Sequence, residues 1–549
     1  MSGASETVSI GRRPNYVALA IILGAAIALF LGIQNALDDA AFQFLATAAL
    51  VILAVAAVWL WGVFGAGLSR GASRRVLIAG LVVIAGIALF RALALRRVGY
   101  TGNMRPIYAW RWETPPNAAV TSNTSTVPAG DASVVPPEWL AAPYRYPQFL
   151  GPDRLPVIED VTIGRNWIKV KPRLVWRQPI GEGWSSFAVY GELAVTQEQR
   201  GDREFVVCYH LLDGKEVWKH SDEGRFAEFM GGDGPRATPT IFEIDGEPFV
   251  CTLGALGALN CLRLADGAPR WPTRNILEDA GAQNLQWAMA GSPLVYDELI
   301  VVNPGGKNGA SLIAYDRRTG ERRWAGGDSQ TAYCSPTLMT LAGKRQVVIV
   351  NQLDVTAHDA ETGEVLWTYP WPGNQPKCAQ PVAVGNDRVF CSSGYGLGCM
   401  LLEVKAGDDG KLTATDLYGG RNRNMKTKFS NVAFRDGFIF GLDDGIMECL
   451  EVATGERKWK KGRFGHGQLL MVGDDILVLA ENGELVLLEA NPNEYIEHAR
   501  IQAVTGKTWN NPVLAGPYLL MRNDQEAACY KLLLLDNAPV PPEESSASE

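Results

Sequence analysis

A glycine followed four residues later by tryptophan recurs at Gly214/Trp218, Gly267/Trp271, Gly320/Trp324, Gly363/Trp367 and Gly455/Trp459, and Asp or Thr precedes each glycine. Such a pair reads as a tight hairpin turn, with Gly at positive φ, feeding a strand that ends on a large packing side chain. A second series runs in step with it. A small polar residue opens an apolar strand at Ser186, Thr238, Ser292, Ser335, Gln380, Asn431, Gln468 and Asn511, at intervals of 37 to 54 residues. Proline follows directly at positions 239, 293, 336, 381 and 512, where the first residue of a strand tolerates a missing N–H. A unit of this length, repeated eight times, buries its apolar faces only by stacking on its neighbours. The expected fold is all-β: an eight-bladed β-propeller of four-stranded blades.

The chain ends bear on closure. After Asn511 only three strands remain, at 513–514, 518–522 and 529–534, whereas Arg173-Leu-Val-Trp176 precedes the first full blade. The N-terminal strand is therefore expected to join the last blade, leaving no long exposed edge.

Ahead of the repeats lie three apolar runs, at about 16–33, 42–64 and 76–95, of which only the third carries a charge, Arg91. Each is near the roughly 20 residues a helix needs to cross a bilayer. Residues 1–98 thus read as a three-helix transmembrane anchor. Arg12 and Arg13 precede the first run, Asp38 and Asp39 follow it, and Arg70, Arg74 and Arg75 separate the second from the third. The excess of cations places the N-terminus in the cytoplasm and the propeller outside, although Arg96, Arg97 and Arg105 oppose that orientation. Residues 99–143 read as a juxtamembrane segment and linker. Asn103 to Trp112 is aromatic and basic, as suits headgroup depth, and 114–137 is rich in Pro, Ser and Thr, as suits a flexible connection. The propeller occupies 144–535, and 536–549 reads as a disordered acidic tail.

Composition excludes several classes. A net charge of -8 argues against nucleic-acid binding, and nine Cys in 549 residues cannot staple a disulfide scaffold. Cys208, Cys261, Cys449 and Cys529 share one slot of the repeat, where a small apolar group is wanted between blades. Cys251/Cys261 and Cys391/Cys399 could face each other across hairpins, so disulfides there stay open. Neither a Cys-x-x-Cys-His haem motif nor zinc spacing occurs.

The long blade-to-blade connections fall on the face where the inner strands start, and recognition is expected there. Two positions before the strand openers stand Trp184, Arg236, Ala290, Tyr333, Cys378, Phe429, His466 and Trp509, which period two directs toward the central funnel. Trp184, Arg236, Tyr333, His466 and Trp509 are candidate ligand-binding residues of its rim, with Asn511 below them. Glu198 and Arg200, near the same mouth, join them as a possible pair. Lys428, with Arg421, Arg423, Lys426, Lys460, Lys461, Arg463 and Lys507, would make a cationic sector attractive to an anion. Leu442-Asp-Asp-Gly445 reads as a hairpin turn and, as a weaker alternative, a calcium loop.

Ala314-Tyr-Asp-Arg-Arg-Thr-Gly-Glu-Arg-Arg-Trp324 and Ala357-His-Asp-Ala-Glu-Thr-Gly-Glu-Val-Leu-Trp367 resemble the tryptophan-docking repeat of the PQQ-repeat, quinoprotein-like propellers. Tyr146-Pro-Gln-Phe-Leu-Gly-Pro-Asp153 is similar to the entry segment of bacterial members. The resemblance implies two functions. One is a membrane-tethered scaffold or binding propeller on the periplasmic side of a bacterial inner membrane, holding a protein partner or an anionic ligand. The other is a membrane-bound dehydrogenase using PQQ and calcium to oxidise an alcohol or sugar. The vicinal Cys-Cys pair of many PQQ alcohol dehydrogenases is absent from this sequence, and no calcium-ligand or catalytic Asp motif is assigned.

Overall fold

The computed structural model describes residues 13–36, 40–122, 135–420 and 422–535. Arg12, Asp38, Asp39, Arg421 and the acidic tail lie outside them. The chain divides into two units, Met1–Thr114 and Pro115–Glu549.

In the first unit three helices, Tyr16–Ala36, Ala40–Phe64 and Arg70–Ala94, are long and apolar enough to cross a membrane. Ser69 caps the third, its hydroxyl accepting from the Ala72 N–H, and its last turn runs straight into a strand. That strand, Leu95–Tyr100, pairs antiparallel with Pro106–Trp110. The juxtamembrane segment is thus a hairpin of the anchor unit.

The second unit is an eight-bladed β-propeller. Its first blade contains Ala188–Tyr190, Leu193–Arg200, Arg203–His210 and Glu216–Glu223, and its last contains Val513–Ala515, Tyr518–Arg522 and Glu526–Lys531. The fourth strand of that last blade is Arg173–Pro179, antiparallel to Glu526–Lys531, with Trp176 opposite Cys529. Arg145–Tyr146 adds to the inner edge of the first blade, and Val157–Ile158 runs parallel to the inner strand of the seventh. The entry segment thereby crosses the mouth opposite the long loops. Arg154 anchors it from within, donating to the Ser292 and Pro293 carbonyls of the third blade at 2.9 and 3.0 Å. The start of the Pro-rich stretch is held as well: Asn117, 4% exposed, donates to the Ile180 and Asp524 carbonyls. Its amide finds two buried carbonyls, which overrides the flexibility its surroundings imply.

Two devices join neighbouring blades, and each explains one of the repeats. The indole of one blade lies against the turn glycine of the next: Trp176 on Gly214, Trp218 on Gly267, Trp271 on Gly320 and Trp324 on Gly363. A Cβ at those glycines would sit 2.4 to 2.8 Å from the ring, and their φ lies between 70 and 77°. Only glycine meets both conditions. Trp176, Trp218 and Trp271 also donate to the carbonyls of Leu211, Leu264 and Arg317 in the next blade.

The second device is a belt around the axis. The backbone N–H of Ser186 donates to Thr238 Oγ1, that of Thr238 to Ser292 Oγ, that of Ser292 to Ser335 Oγ, that of Ser335 to Gln380 Oε1, and that of Gln380 to Asn431 Oδ1, at 2.9 to 3.1 Å. Ser186 Oγ donates to the Asn511 carbonyl, and Gln468 Nε2 to those of Phe429 and Trp509. The N–H at the head of these inner strands is buried without a ladder partner, so the neighbour's opener must carry an acceptor.

The nine cysteines are free thiols. Cys208, Cys261, Cys449 and Cys529 are fully buried between blades. Cys251 stands opposite Cys261, but Cys391 faces Met400 while Cys399 faces Ser392, so those two are staggered by one residue and point to opposite sides of the sheet.

Candidate functional site

The rim residues of the long-loop face fall into two unlike groups. On one side Trp184, Trp509, Phe429 and His466, from the first, eighth, sixth and seventh blades, form a continuous aromatic arc. Ring centroids are 4.9 Å apart for Trp184 and Trp509, 4.7 Å for Trp509 and Phe429, and 5.3 Å for Phe429 and His466. Lys507 lies across it, its Nζ 4.7 Å from the Trp184 centroid and 4.1 Å from that of Trp509. Burial holds this lysine below its usual range, and Asp524 and Glu481 pull in the other direction. Glu481 also accepts from Trp509 Nε1 at 2.8 Å, which fixes the indole. Lys507, counted among the cations from sequence but not in the rim, joins the rim against Trp184 and Trp509.

His466 is fully buried. Burial first, and the neighbouring Lys428 second, push its imidazole down to about 3, so it serves as a neutral ring in the wall. Lys428 is buried too, with its ammonium 5.1 Å from the Tyr395 ring centroid.

The opposite side is polar. Arg236 donates to the carbonyls of Trp287, Gly234 and Gly232, at 2.5 to 3.3 Å, and so clamps its own approach loop. Burial pushes it down to about 10, against the pull of Glu228. Tyr333 lies beside Trp287, ring centroids 5.7 Å apart, and its hydroxyl accepts from the Trp287 N–H at 3.4 Å. Asn511 sits beneath in the belt.

Glu198 and Arg200 are placed elsewhere. They pair at 3.0 Å, but at 0% and 3% side-chain exposure they lie inside the first blade and offer nothing to a ligand. Glu198 also accepts from Tyr209 Oη and the Gly181 N–H. The strand's period of two turns both side chains toward the eighth blade, where Arg522 donates to Thr196 Oγ1 and to the Gln197, Gly181 and Gly183 carbonyls. This polar seam welds the first blade to the last. Sequence reasoning missed Arg522 because its partners lie more than 320 residues away.

Two members of the cationic sector are held in ion pairs. Lys426 pairs with Asp444 at 2.8 Å, and Lys460 and Arg457 reach the fully buried Asp443. The Asp443–Asp444 turn is thereby an ion network with basic side chains. Among the described residues no group of three or more His, Cys, Asp or Glu is arranged to hold a metal ion.

Comparison with known proteins matches residues 202–461 to the family model PQQ_2, described as outer membrane protein assembly factor BamB. Among solved structures, a quinohemoprotein alcohol dehydrogenase from Comamonas testosteroni is 12% identical with a TM-score of 0.52, over 78% of this chain and 85% of that one. A second quinohemoprotein alcohol dehydrogenase, from Pseudomonas putida, is 12% identical with a TM-score of 0.50, over 76% and 85%. BamB from Moraxella catarrhalis is 16% identical with a TM-score of 0.45, over 66% and 99%. Among curated proteins none matches. Identities this low speak to fold alone.

Proposed function

From the premise that the repeats of residues 202–461 belong to the PQQ-repeat propeller family, we propose that this protein is a membrane-tethered binding propeller. Its funnel would hold a protein partner or an anionic ligand on the extracytoplasmic side. The observation that carries the reading is Lys507 laid across Trp184 and Trp509. A cation on aromatic faces is a preorganised site for a negative group with an apolar body. The description of the matched family model, an assembly factor, supports a protein as the occupant. The three helices tether the propeller, and Arg70, Arg74 and Arg75 in the first turns of the third favour a cytoplasmic N-terminus in a bacterial inner membrane.

A PQQ- and calcium-dependent dehydrogenase asks for other residues. A planar quinone needs an open aromatic face, calcium needs a set of oxygen ligands, and substrate oxidation needs an acidic base. Here Lys507 covers the two indole faces, and the described residues bring no acidic trio together. Lys507 across the two indoles supports the binding reading over the dehydrogenase.

The full-length protein in nanodiscs, carrying a photo-crosslinker at Phe429, is the test. The expected result is a discrete crosslinked species that Trp509→Ala and Lys507→Ala abolish, and that a crosslinker at Thr319 on the opposite face does not give. A saturable melting shift with PQQ and Ca²⁺, accompanied by dye reduction with alcohols or sugars, would overturn the proposal.

A further inference from the structure

Residues 91 to 112 contain five arginines and no acidic residue. They make up the end of the third span and the hairpin that continues it. The strand alternation sets Leu95 and Arg97 on the same side as their cross-strand partners Trp110 and Tyr108. Arg91, the single charge within the apolar runs, donates to Tyr108 Oη and holds its guanidinium 5.0 Å from that ring's centroid. Arg97 donates to Tyr100 Oη at 2.6 Å. Trp110 stacks on Trp112 at 5.0 Å and meets Phe90 of the span edge-on at 6.4 Å. Arg105 lies over Phe44 of the second helix, at 5.2 Å. The hairpin is locked to the helix end by the Arg111 N–H, which donates to the Ala94 carbonyl at 2.9 Å.

These contacts leave the aromatic rings outward: Phe90 is 55% exposed, Tyr108 40%, Trp110 44% and Trp112 70%. In water such a surface would be costly. It is continuous with the exposed apolar face of the third helix, and at that depth a bilayer changes from hydrocarbon to headgroup. Arginine stems lie along apolar surface there while their guanidinium groups reach phosphate, and tryptophan and tyrosine prefer the same layer.

We propose that the Arg91–Arg97–Tyr108–Trp110 face is a binding site for the headgroup phosphate of an anionic phospholipid, with the hairpin lying in the membrane interface. The arginines that oppose the orientation assigned from the loops then mark a lipid site. The inference rests on the membrane reading of the spans and is independent of the funnel.

Full-length protein in detergent, titrated with phosphatidylglycerol or phosphatidylcholine and followed by native mass spectrometry, tests it. Two interfacial arginines correspond to a preference of about 30-fold for the anionic lipid. Arg91→Gln with Arg97→Gln should bring the affinity down to that for phosphatidylcholine, whereas Arg91→Lys with Arg97→Lys should retain most of it. Equal affinity for the two lipids in the wild type, or full preference in the double Gln variant, would refute the site. Should the double variant fail to insert, Arg97→Gln alone and the fall of the wild-type preference with rising salt carry the same decision. A wild type that never enters the membrane fraction would instead refute the reading of the spans.

Discussion

Gly363 answers to two constraints at once, a φ of 77° and the Trp324 ring 2.4 Å from where its Cβ would be. Gly343 shares the first, at 75°, with nothing within 4 Å. Gly343→Ala should therefore cost about 1–2 kcal/mol, the steric cost of the left-handed region alone. Gly363→Ala should cost clearly more, because the indole must leave its seat; denaturant midpoints of the two variants measure the gap. A second prediction concerns Glu204, which lies 6% exposed between the first two blades. Burial raises its carboxyl to about 7 from an ordinary 4.5, with Asp222 adding to the rise, while the Ala255 N–H and Arg236 oppose it. The folded state thus holds this proton more tightly than the unfolded chain. Stability should be fully present below about pH 4.5 and be lost as pH rises to about 7, by at most roughly 3 kcal/mol. Glu204→Gln should flatten that part of the pH–stability profile measured by denaturant unfolding. The turn glycines were legible because the glycine-to-tryptophan spacing that marks them repeats within five residues of sequence, although the indole each one receives belongs to the preceding blade. Glu204, like Glu198, was not, since what decides its state is the neighbouring blade.

At the scale of the element, the inner strands are held at their heads by the belt. Removing one acceptor leaves a buried N–H unsatisfied, so Ser292→Ala, which strands the Thr238 N–H, should cost about 1–3 kcal/mol. Ser292→Thr keeps an acceptor and should cost less if the methyl is accommodated; thermal melts of the two variants separate the hydrogen bond from packing. The polar openers were readable as a periodic series, and their role follows from a general rule about strand ends. Asn103 to Trp112 was read as a headgroup-level segment without the hairpin at 95–110 to which most of it belongs, because two short strands joined to a helix have no repeat to reveal them.

Over the whole molecule, the seam between the first and last blades is where the ring is joined. Arg522 spans it with four bonds to the first blade and its approach, opposite Glu198 and Arg200. Arg522→Ala should destabilise the propeller by roughly 3 kcal/mol or more, because it strips several buried oxygens of their donor, at about 1–3 kcal/mol each. It should also raise hydrogen exchange at Arg173–Pro179 and Glu526–Lys531 ahead of other blades. Uniform exchange around the ring would show that the seam is no weaker than any other junction.

The sequence by itself determined the number of blades, the three apolar helices and which face carries long loops, because periodicity, length and turn chemistry are local properties that a chain displays in order. Only the tertiary structure decided which rim residues meet. It brought Trp184 and Trp509 together under Lys507, made His466 a neutral part of the wall, tied Arg236 to its own loop, and withdrew Glu198 and Arg200 into a seam. In a closed ring, residues hundreds of positions apart share one axis, and burial and partnership around that axis belong to the ring as a whole.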